Sequence, residues 1–164
     1  MFKKIFVPLD GSAFAETALR HAETLARCFG AELILAQVVS GVEQTMFVSP
    51  PVEYEGGHYD PVWSARQLTA HVPNPLVGPA EEYLRATART LLAGGIRAQT
   101  EVLEGNVAHA LLTRIESIGA DAVVMCTHGR GGLSRALLGS VADRISHHTS
   151  VPVLLVRPGD SRSS

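Results

Sequence analysis

The 164-residue sequence predicts an α/β protein with a doubly wound, five-stranded parallel sheet and helices on both faces. Two observations predict it. Short, near-continuous apolar runs alternate along the chain with segments whose apolar residues recur at helical spacing. Helices that separate successive strands also make right-handed crossovers, and such crossovers leave the strands parallel.

The first two predicted strands flank the clearest predicted helix. Residues 5–7 form a short apolar run, and residues 10–12, Asp-Gly-Ser, form a turn that can cap a helix. From Ala13 to Phe29 the apolar residues recur at helical spacing, and Gly30 is a typical helix end. Residues 33–39 are almost entirely apolar, which indicates a strand covered on both faces.

The regular pattern breaks down between residues 40 and 78. Five of the nine prolines lie there, with Pro79 at the edge, and so do the aromatic residues Tyr59 and Trp63. A segment of this length and composition cannot build a second core. We therefore expect one domain over residues 1–158, an irregular excursion over 40–78 and a flexible tail over 159–164. The aromatic residues suggest packing against the domain, a partner or a ligand.

Regular patterning resumes at Pro79, a typical first helical residue, with Glu81 and Glu82 expected in the first turn. Residues 96–102 alternate between apolar and polar, which predicts a strand exposed on one face or near a sheet edge. Asn106 can then cap a helix that is closed by a glycine.

The last part of the chain contains two more apolar strands, residues 122–126 and 151–156. Between them lie a glycine-rich loop and a short helix through Val141 and Ile145. Ligands of doubly wound sheets bind beyond the carboxyl ends of the strands. The loops that follow the first and fourth strands are therefore the candidate binding loops.

Charge, hydropathy and cysteine content narrow the function classes. Fourteen Lys+Arg against sixteen Asp+Glu give a formal charge of −2, which argues against nucleic acid as the main ligand. The apolar runs are too short to span a bilayer, and the first residues lack a secretory pattern. Cys28 and Cys126 are isolated thiols, and Cys28 is expected to pack as a small apolar residue. We expect a cytoplasmic protein without a nucleic-acid or membrane partner.

The loop after the fourth strand carries the most informative chemistry. Glycines over residues 129–132 let the backbone approach an anion closely, and Arg130 and Arg135 supply cationic donors. Gly139 and Ser140 stand near a helix start, where the helix dipole favours negative charge. A flexible surface loop with an ordinary capping serine explains the same residues equally well. The loop matches neither the Walker A pattern nor the dinucleotide fingerprint.

These residues identify a resemblance. The chain resembles the universal stress protein family over almost its whole length. The family's ATP-binding members carry the pattern G-x2-G-x9-G-[ST] after the fourth strand, and Gly129 with Gly139-Ser140 matches its latter part. Residues 7–12 and 151–156 are also typical of the family. The first glycine of the pattern falls on Cys126, whose side chain could crowd the phosphates.

The resemblance implies a Rossmann-like nucleotide site. The residues around the base and sugar, on the pocket floor or flanking the nucleotide would be Pro8, Asp10, Val38, Met125 and Cys126. The residues that hold the phosphates would be Gly129, Arg130, Gly139, Ser140 and Val141. Asp10 would contact the ribose hydroxyls or hold a divalent ion such as Mg²⁺ that accompanies ATP. Its alternative role is to cap the Ala13–Phe29 helix.

The resemblance further implies a stress-response sensor or regulator that binds ATP or AMP. The sequence presents no committed general base or metal cage, so no catalytic or metal-binding residue is assigned. Slow ATP hydrolysis or autophosphorylation is the most that we expect. The alternative is a scaffold of the same fold that binds no nucleotide. The cysteine at position 126, in place of the motif glycine, favours this alternative. A third hypothesis is a metabolic enzyme with an aromatic lid over residues 41–78.

In the family the last strand lies at the sheet edge, so we expect a homodimer through residues 151–156.

Overall fold

The computed structural model describes residues 1–40, 74–127 and 138–157. Strands and helices alternate through these residues. The elements are β1 (Lys4–Pro8), α1 (Ala13–Phe29), β2 (Glu32–Val39), α2 (Val77–Ala93), β3 (Ala98–Glu104), α3 (Val107–Ser117), β4 (Ala122–Cys126), α4 (Ser140–His148) and β5 (Val153–Val156). Most of the predicted excursion, the central part of the glycine-rich loop and the predicted tail lie outside the described residues.

The five strands form one parallel sheet in the order β3-β2-β1-β4-β5. The chain runs outward from β1 to β3, returns to the other side of β1 as β4, and then continues to β5. This order confirms the predicted doubly wound fold and places the switch point between β1 and β4. β3 and β5 lie at the two edges. An edge position was one of the two predicted for β3, and the family resemblance implied it for β5.

Helices cover both faces of the sheet. One core packs beneath α1 and α2 and includes Leu19 and Leu84. The other packs beneath α3 and α4 and includes Leu111 and Ile145. Successive strand residues alternate between these two cores because side chains along a strand point to opposite faces. None of the described helices is long and apolar enough to cross a membrane.

The start of α2 differs from the prediction. The helix begins at Val77, so Pro79 is its third residue and the regular structure starts before residue 78. Proline is tolerated there because N–H groups in the first turn have no acceptor within the helix. Glu81 and Glu82 consequently fall in the second turn, and the first turn holds no acidic residue.

Both edge strands begin later than predicted. β3 starts at Ala98 because Ile96 still takes part in the turn that ends α2, where its N–H donates to the Leu91 carbonyl at 2.9 Å. β5 starts at Val153 rather than at residue 151. The prediction that Cys28 packs as a small apolar residue was wrong. Cys28 lies near the end of α1, and its side chain is exposed.

A carboxylate ties the amino ends of β1 and β4 together. Asp121 Oδ2 accepts the backbone N–H groups of Lys3 and Lys4, each at 2.8 Å. The Asp121 N–H donates in turn to the Lys4 carbonyl at 2.9 Å. The backbone hydrogen bonds from Lys4 and Lys3 hold the pKa of Asp121 below its ordinary value. This contact lies at the opposite end of the sheet from the candidate site.

Candidate functional site

A cavity of about 360 Å³ lies at the carboxyl ends of β1, β2 and β4, next to the starts of α1, α3 and α4. It coincides with the topological switch point, where ligands of doubly wound sheets bind. Its walls are mostly apolar. Of the described residues that line it, Asp10 alone carries a charged side chain. Such a cavity suits a ligand with a flat apolar part and a polar end.

The cavity brings together residues that the sequence separates widely. Eight of the ten predicted site residues are described by the structure, and all eight line the cavity: Pro8, Asp10, Val38, Met125, Cys126, Gly139, Ser140 and Val141. The other two, Gly129 and Arg130, lie outside the described residues.

Seven further lining residues were not singled out by the sequence. They are small, apolar or hydroxyl-bearing: Leu9, Ala15, Ala36, Val107, Leu111, Thr127 and Ala142. Most of them follow the apolar spacing of core residues, so their position beside a cavity leaves no mark in the pattern. Val107 is an exception. It begins the helix after the capping residue Asn106. Helices that follow strands of a parallel sheet start at the end of the sheet where the carboxyl ends of the strands lie.

Asp10 is held in place by the turn that follows it. Its Oδ1 accepts the Ser12 backbone N–H at 2.9 Å and the Ser12 hydroxyl at 2.6 Å. Ser12 Oγ in turn accepts the Ala15 N–H at 3.2 Å. The N-cap of α1 is therefore Ser12, and Asp10 does not cap the helix itself. Gly11 permits this tight turn through its positive φ of 76°.

The α4 start corrects one predicted contact. Gly139 donates its N–H to the Thr127 carbonyl at 2.8 Å, so this N–H is already used within the protein. The Gly139 carbonyl accepts the Asp143 N–H at 2.9 Å, which makes Gly139 the N-cap of α4. The N–H groups without an acceptor inside the helix are those of Ser140, Val141 and Ala142.

The helices around the cavity differ in how their first turns are satisfied. In α1 the side chain of Ser12 caps the helix, and in α3 the side chain of Asn106 accepts the His109 N–H at 3.2 Å. In α4 the N-cap is Gly139, which has no side chain with which to cap. The first turn of α4 therefore directs N–H groups and the positive end of the helix dipole to the cavity.

The main chain of Val38 is positioned by the alternation of the β2 hydrogen bonds. The Ala36 carbonyl accepts the Leu9 N–H at 2.8 Å on the β1 side, and the Val39 carbonyl accepts the Gly105 N–H at 3.1 Å on the β3 side. Alternate residues of a parallel strand bond the same neighbour, so the N–H and C=O of Val38 point to the β1 side. The register of β1 ends opposite Ala36, and Val38 therefore presents both groups beyond it, at the cavity.

Cys126 and Met125 line the cavity from opposite faces of β4. Cys126 packs in the core beneath α1, together with Leu9 and Ala15. Met125 packs in the core beneath α4, together with Ala142. The Cys126 side chain is thus on the side of the sheet away from the α4 first turn. This arrangement counts against the crowding of phosphates that its replacement of the motif glycine suggested.

A tyrosine lies within electrostatic range of Glu16 and Asp10. Tyr83 of α2 packs against the core beneath α1, and its hydroxyl oxygen is buried beside the Thr87 side chain without a well-formed hydrogen bond to any described residue. Burial and the negative charges of Glu16 and Asp10 raise the pKa of Tyr83. The phenol is therefore neutral at physiological pH. It does not line the cavity itself.

Comparison with known proteins agrees with this architecture. The model of the universal stress protein family matches residues 1–157. A universal stress protein from Methanocaldococcus jannaschii is 33% identical over 157 residues, which cover 96% of this chain and 83% of that protein.

Two solved structures are similar over nearly their whole length. One, from a structure-based assignment of the biochemical function of a hypothetical protein, has a TM-score of 0.75 and 25% identity, and the match covers 98% of this chain and 99% of that one. The other is a universal stress protein in complex with cAMP, with a TM-score of 0.65, 20% identity and coverage of 95% and 97%.

Proposed function

The chain belongs to the universal stress protein family, and we propose that it acts there as a cytoplasmic sensor or regulator that binds an adenine nucleotide, ATP or AMP. One observation carries the proposal. One cavity combines three features. Val38 offers it a main-chain donor and acceptor, the first turn of α4 forms another part of its wall, and the remaining lining is mostly apolar. A nucleotide requires this combination, because its base is flat and its phosphates are anionic.

The base would bind at Val38. The adenine edge offers one acceptor, N1, beside one donor, the 6-amino group. The N–H and C=O of Val38 form the complementary pair beyond the end of β1. Val107 and Leu111 of α3 line the same cavity and would bury the ring faces. Loss of this apolar contact would weaken every adenine ligand alike.

The phosphates would bind at α4. The N–H groups of Ser140 and Val141 and the Ser140 hydroxyl are suitable donors for an anion, and the helix dipole favours negative charge there. The family pattern adds Gly129 and Arg130 to this set. Asp10 would contact the ribose hydroxyls, or a Mg²⁺ ion that accompanies ATP.

A regulatory role is favoured over rapid catalysis. Among the described lining residues the titratable side chains are Asp10 and Cys126, and Asp10 already accepts two hydrogen bonds from Ser12. A phosphoryl-transfer site needs a positioned base and metal ligands around the transferred group. We therefore propose that hydrolysis or autophosphorylation is at most slow.

The nucleotide-binding unit would be a homodimer. β5 ends the sheet, and its Leu154 side chain is 42% exposed. Two copies of an apolar edge strand can pair antiparallel about a twofold axis, which closes the assembly. The second copy would thereby cover Leu154.

The test uses the full chain purified without added ligand. Denaturation followed by mass spectrometry should release an adenine nucleotide, and titration calorimetry of the emptied protein should show saturable binding of ATP and AMP. GTP is the matched control for the base. A protein that releases no nucleotide and binds neither ATP nor AMP would support the alternative, a dimeric scaffold without a nucleotide.

A further inference from the structure

Asp10 lies between the two places where the ends of a nucleotide would bind. β1 stands between β2 and β4 in the sheet. Its register with β2 ends at Pro8 and Ala36, so Asp10 and Val38 each lie two residues beyond that pair. On the other side of β1, β4 leads toward α4, whose first turn lines the cavity. A base at Val38 and phosphates at α4 would therefore leave the sugar that joins them beside Asp10.

The hydroxyl proton of Ser12 is donated to Asp10. Ser12 Oγ lies 2.6 Å from Asp10 Oδ1 and accepts the Ala15 N–H at 3.2 Å. Because the Ala15 N–H is itself a donor, the single proton of the hydroxyl goes to the carboxylate, which only accepts when it is ionised. The Ser12 N–H donates to the same Oδ1 at 2.9 Å. Two donors thus converge on one oxygen of Asp10, and both belong to the residue that caps α1.

The two residues differ in their relation to the cavity. Asp10 lines it, and Ser12 is not among the described residues that do so. An effect of Ser12 on a ligand would therefore pass through Asp10. Hydrogen bonds to an ionised group are stronger and shorter than those between neutral groups, so this pair restrains the orientation of the carboxylate. The 2′ and 3′ hydroxyls of a ribose are adjacent donors, and a carboxylate held in one orientation is a suitable acceptor for them.

We propose that Ser12 is a positioning residue that makes the cavity selective for ribonucleotides over 2′-deoxyribonucleotides; this inference rests on the proposed function. Ser12 orients the Asp10 carboxylate, and the carboxylate accepts hydrogen bonds from the ribose hydroxyls. A 2′-deoxyribose lacks one of these donors and leaves the half-buried carboxylate with one hydrogen bond fewer. Because the acceptor is charged, this loss should weaken binding about tenfold or more.

The experiment compares ATP with 2′-deoxy-ATP by titration calorimetry on the full chain, with Mg²⁺ present and after its removal by a chelator. The two ligands have the same base and the same phosphates. We expect the wild type to bind 2′-deoxy-ATP about tenfold more weakly than ATP, with and without Mg²⁺. In Ser12→Ala the ratio of the two dissociation constants should fall below about threefold. Ser12→Thr keeps the hydroxyl and should keep the wild-type ratio.

Two further variants separate the positioning of Asp10 from the capping of a helix. Asn106→Ala removes the side chain that caps α3 by accepting the His109 N–H at 3.2 Å, and it should keep the wild-type ratio. Ser12→Gly removes the hydroxyl but leaves a residue type that is common at N-caps, so α1 should still form. Its ratio should fall as in Ser12→Ala, which keeps the test valid if the alanine variant does not fold.

Several results would overturn the proposal. They are equal affinity of the wild type for ATP and 2′-deoxy-ATP, an unchanged ratio in Ser12→Gly, and a fall in Asn106→Ala as large as that in the Ser12 variants. A ratio that disappears when Mg²⁺ is removed would assign Asp10 to the metal ion and would also overturn it. Failure of the proposed function is distinguishable, because the wild type would then bind neither ATP nor 2′-deoxy-ATP.

Discussion

Gly139 donates its backbone N–H to the carbonyl of Thr127 at 2.8 Å, and this bond brings the end of β4 to the start of α4. The bond sets the geometry of the candidate phosphate site. It uses the N–H that the sequence pattern suggested for the ligand, and it leaves the following N–H groups of α4 at the cavity.

Replacement of Gly139 by valine tests the phosphate site. The backbone of Gly139 has φ −62° and ψ 144°, which valine can adopt, so the added side chain should mainly obstruct approach to the α4 first turn. Loss of one charge-assisted hydrogen bond costs about 1.5–3 kcal/mol, so ATP affinity should fall roughly tenfold or more in calorimetry. Gly78→Val is the control, since no atom lies within 4 Å of its added Cβ. Equal ATP affinity of Gly139→Val and wild type would exclude the assignment.

Replacement of Cys126 by glycine tests whether the thiol limits the site. Because Cys126 packs beneath α1 and not beside the α4 first turn, we expect Cys126→Gly to bind ATP as tightly as the wild type, or more tightly. Its thermal stability should fall modestly, since Cys126 is buried. Calorimetry with ATP and AMP is the measurement. Binding that exists only in Cys126→Gly would show instead that the thiol closes the cavity.

Replacement of Leu154 by aspartate tests the dimer. The side chain is 42% exposed on the edge strand, so the charge should disrupt pairing between copies with little effect on the monomer fold. Light scattering should report a monomer for Leu154→Asp and a dimer for the wild type. Leu92→Asp, at the end of α2 and 66% exposed, is the matched control and should remain dimeric. A Leu154→Asp variant that also remains dimeric would move the interface elsewhere.

Replacement of Asp121 by asparagine tests the contact between β1 and β4. The pKa of Asp121 is lowered in the folded state, so its contribution is fully present above the unfolded pKa of about 3.9 and is lost as the pH falls through the folded pKa. Asp121→Asn should lower the free energy of unfolding at pH 7 by about 1 kcal/mol, a value reduced by solvent exposure. The difference from wild type should shrink in urea denaturation near pH 3. The exposed Glu116→Gln serves as control, and a difference independent of pH would count against this role.

Replacement of Tyr83 by phenylalanine tests the buried hydroxyl. Among the described residues this oxygen has no well-formed hydrogen bond, and a buried polar atom in that situation destabilises the fold, so Tyr83→Phe should unfold at an equal or higher urea concentration, with a gain of up to about 1 kcal/mol. Tyr83→Ala, which also removes the ring from the core, should be destabilised. A clear loss of stability in Tyr83→Phe would indicate that the hydroxyl has a partner in solution.

The local elements followed from local sequence. Apolar spacing and the capping residues predicted α1 with its observed bounds, Ala13–Phe29, and the strand at residues 122–126. These signals are local because helix and strand periods are properties of neighbouring residues. The bounds of α2 were less determined. Pro79 is compatible with several positions in a first turn, and the earlier residues carried no clear signal.

The sequence by itself determined the fold class, and its resemblance to a known family pointed to the edge position of β5 and to eight of the described residues that gather at the candidate site. Tertiary structure alone decided which groups remain available there. It pairs the Gly139 N–H with Thr127 and turns Cys126 toward the α1 face. The reason is physical: a residue's type fixes the donors and acceptors it carries, but the partners that satisfy them come from distant segments brought together by the sheet order.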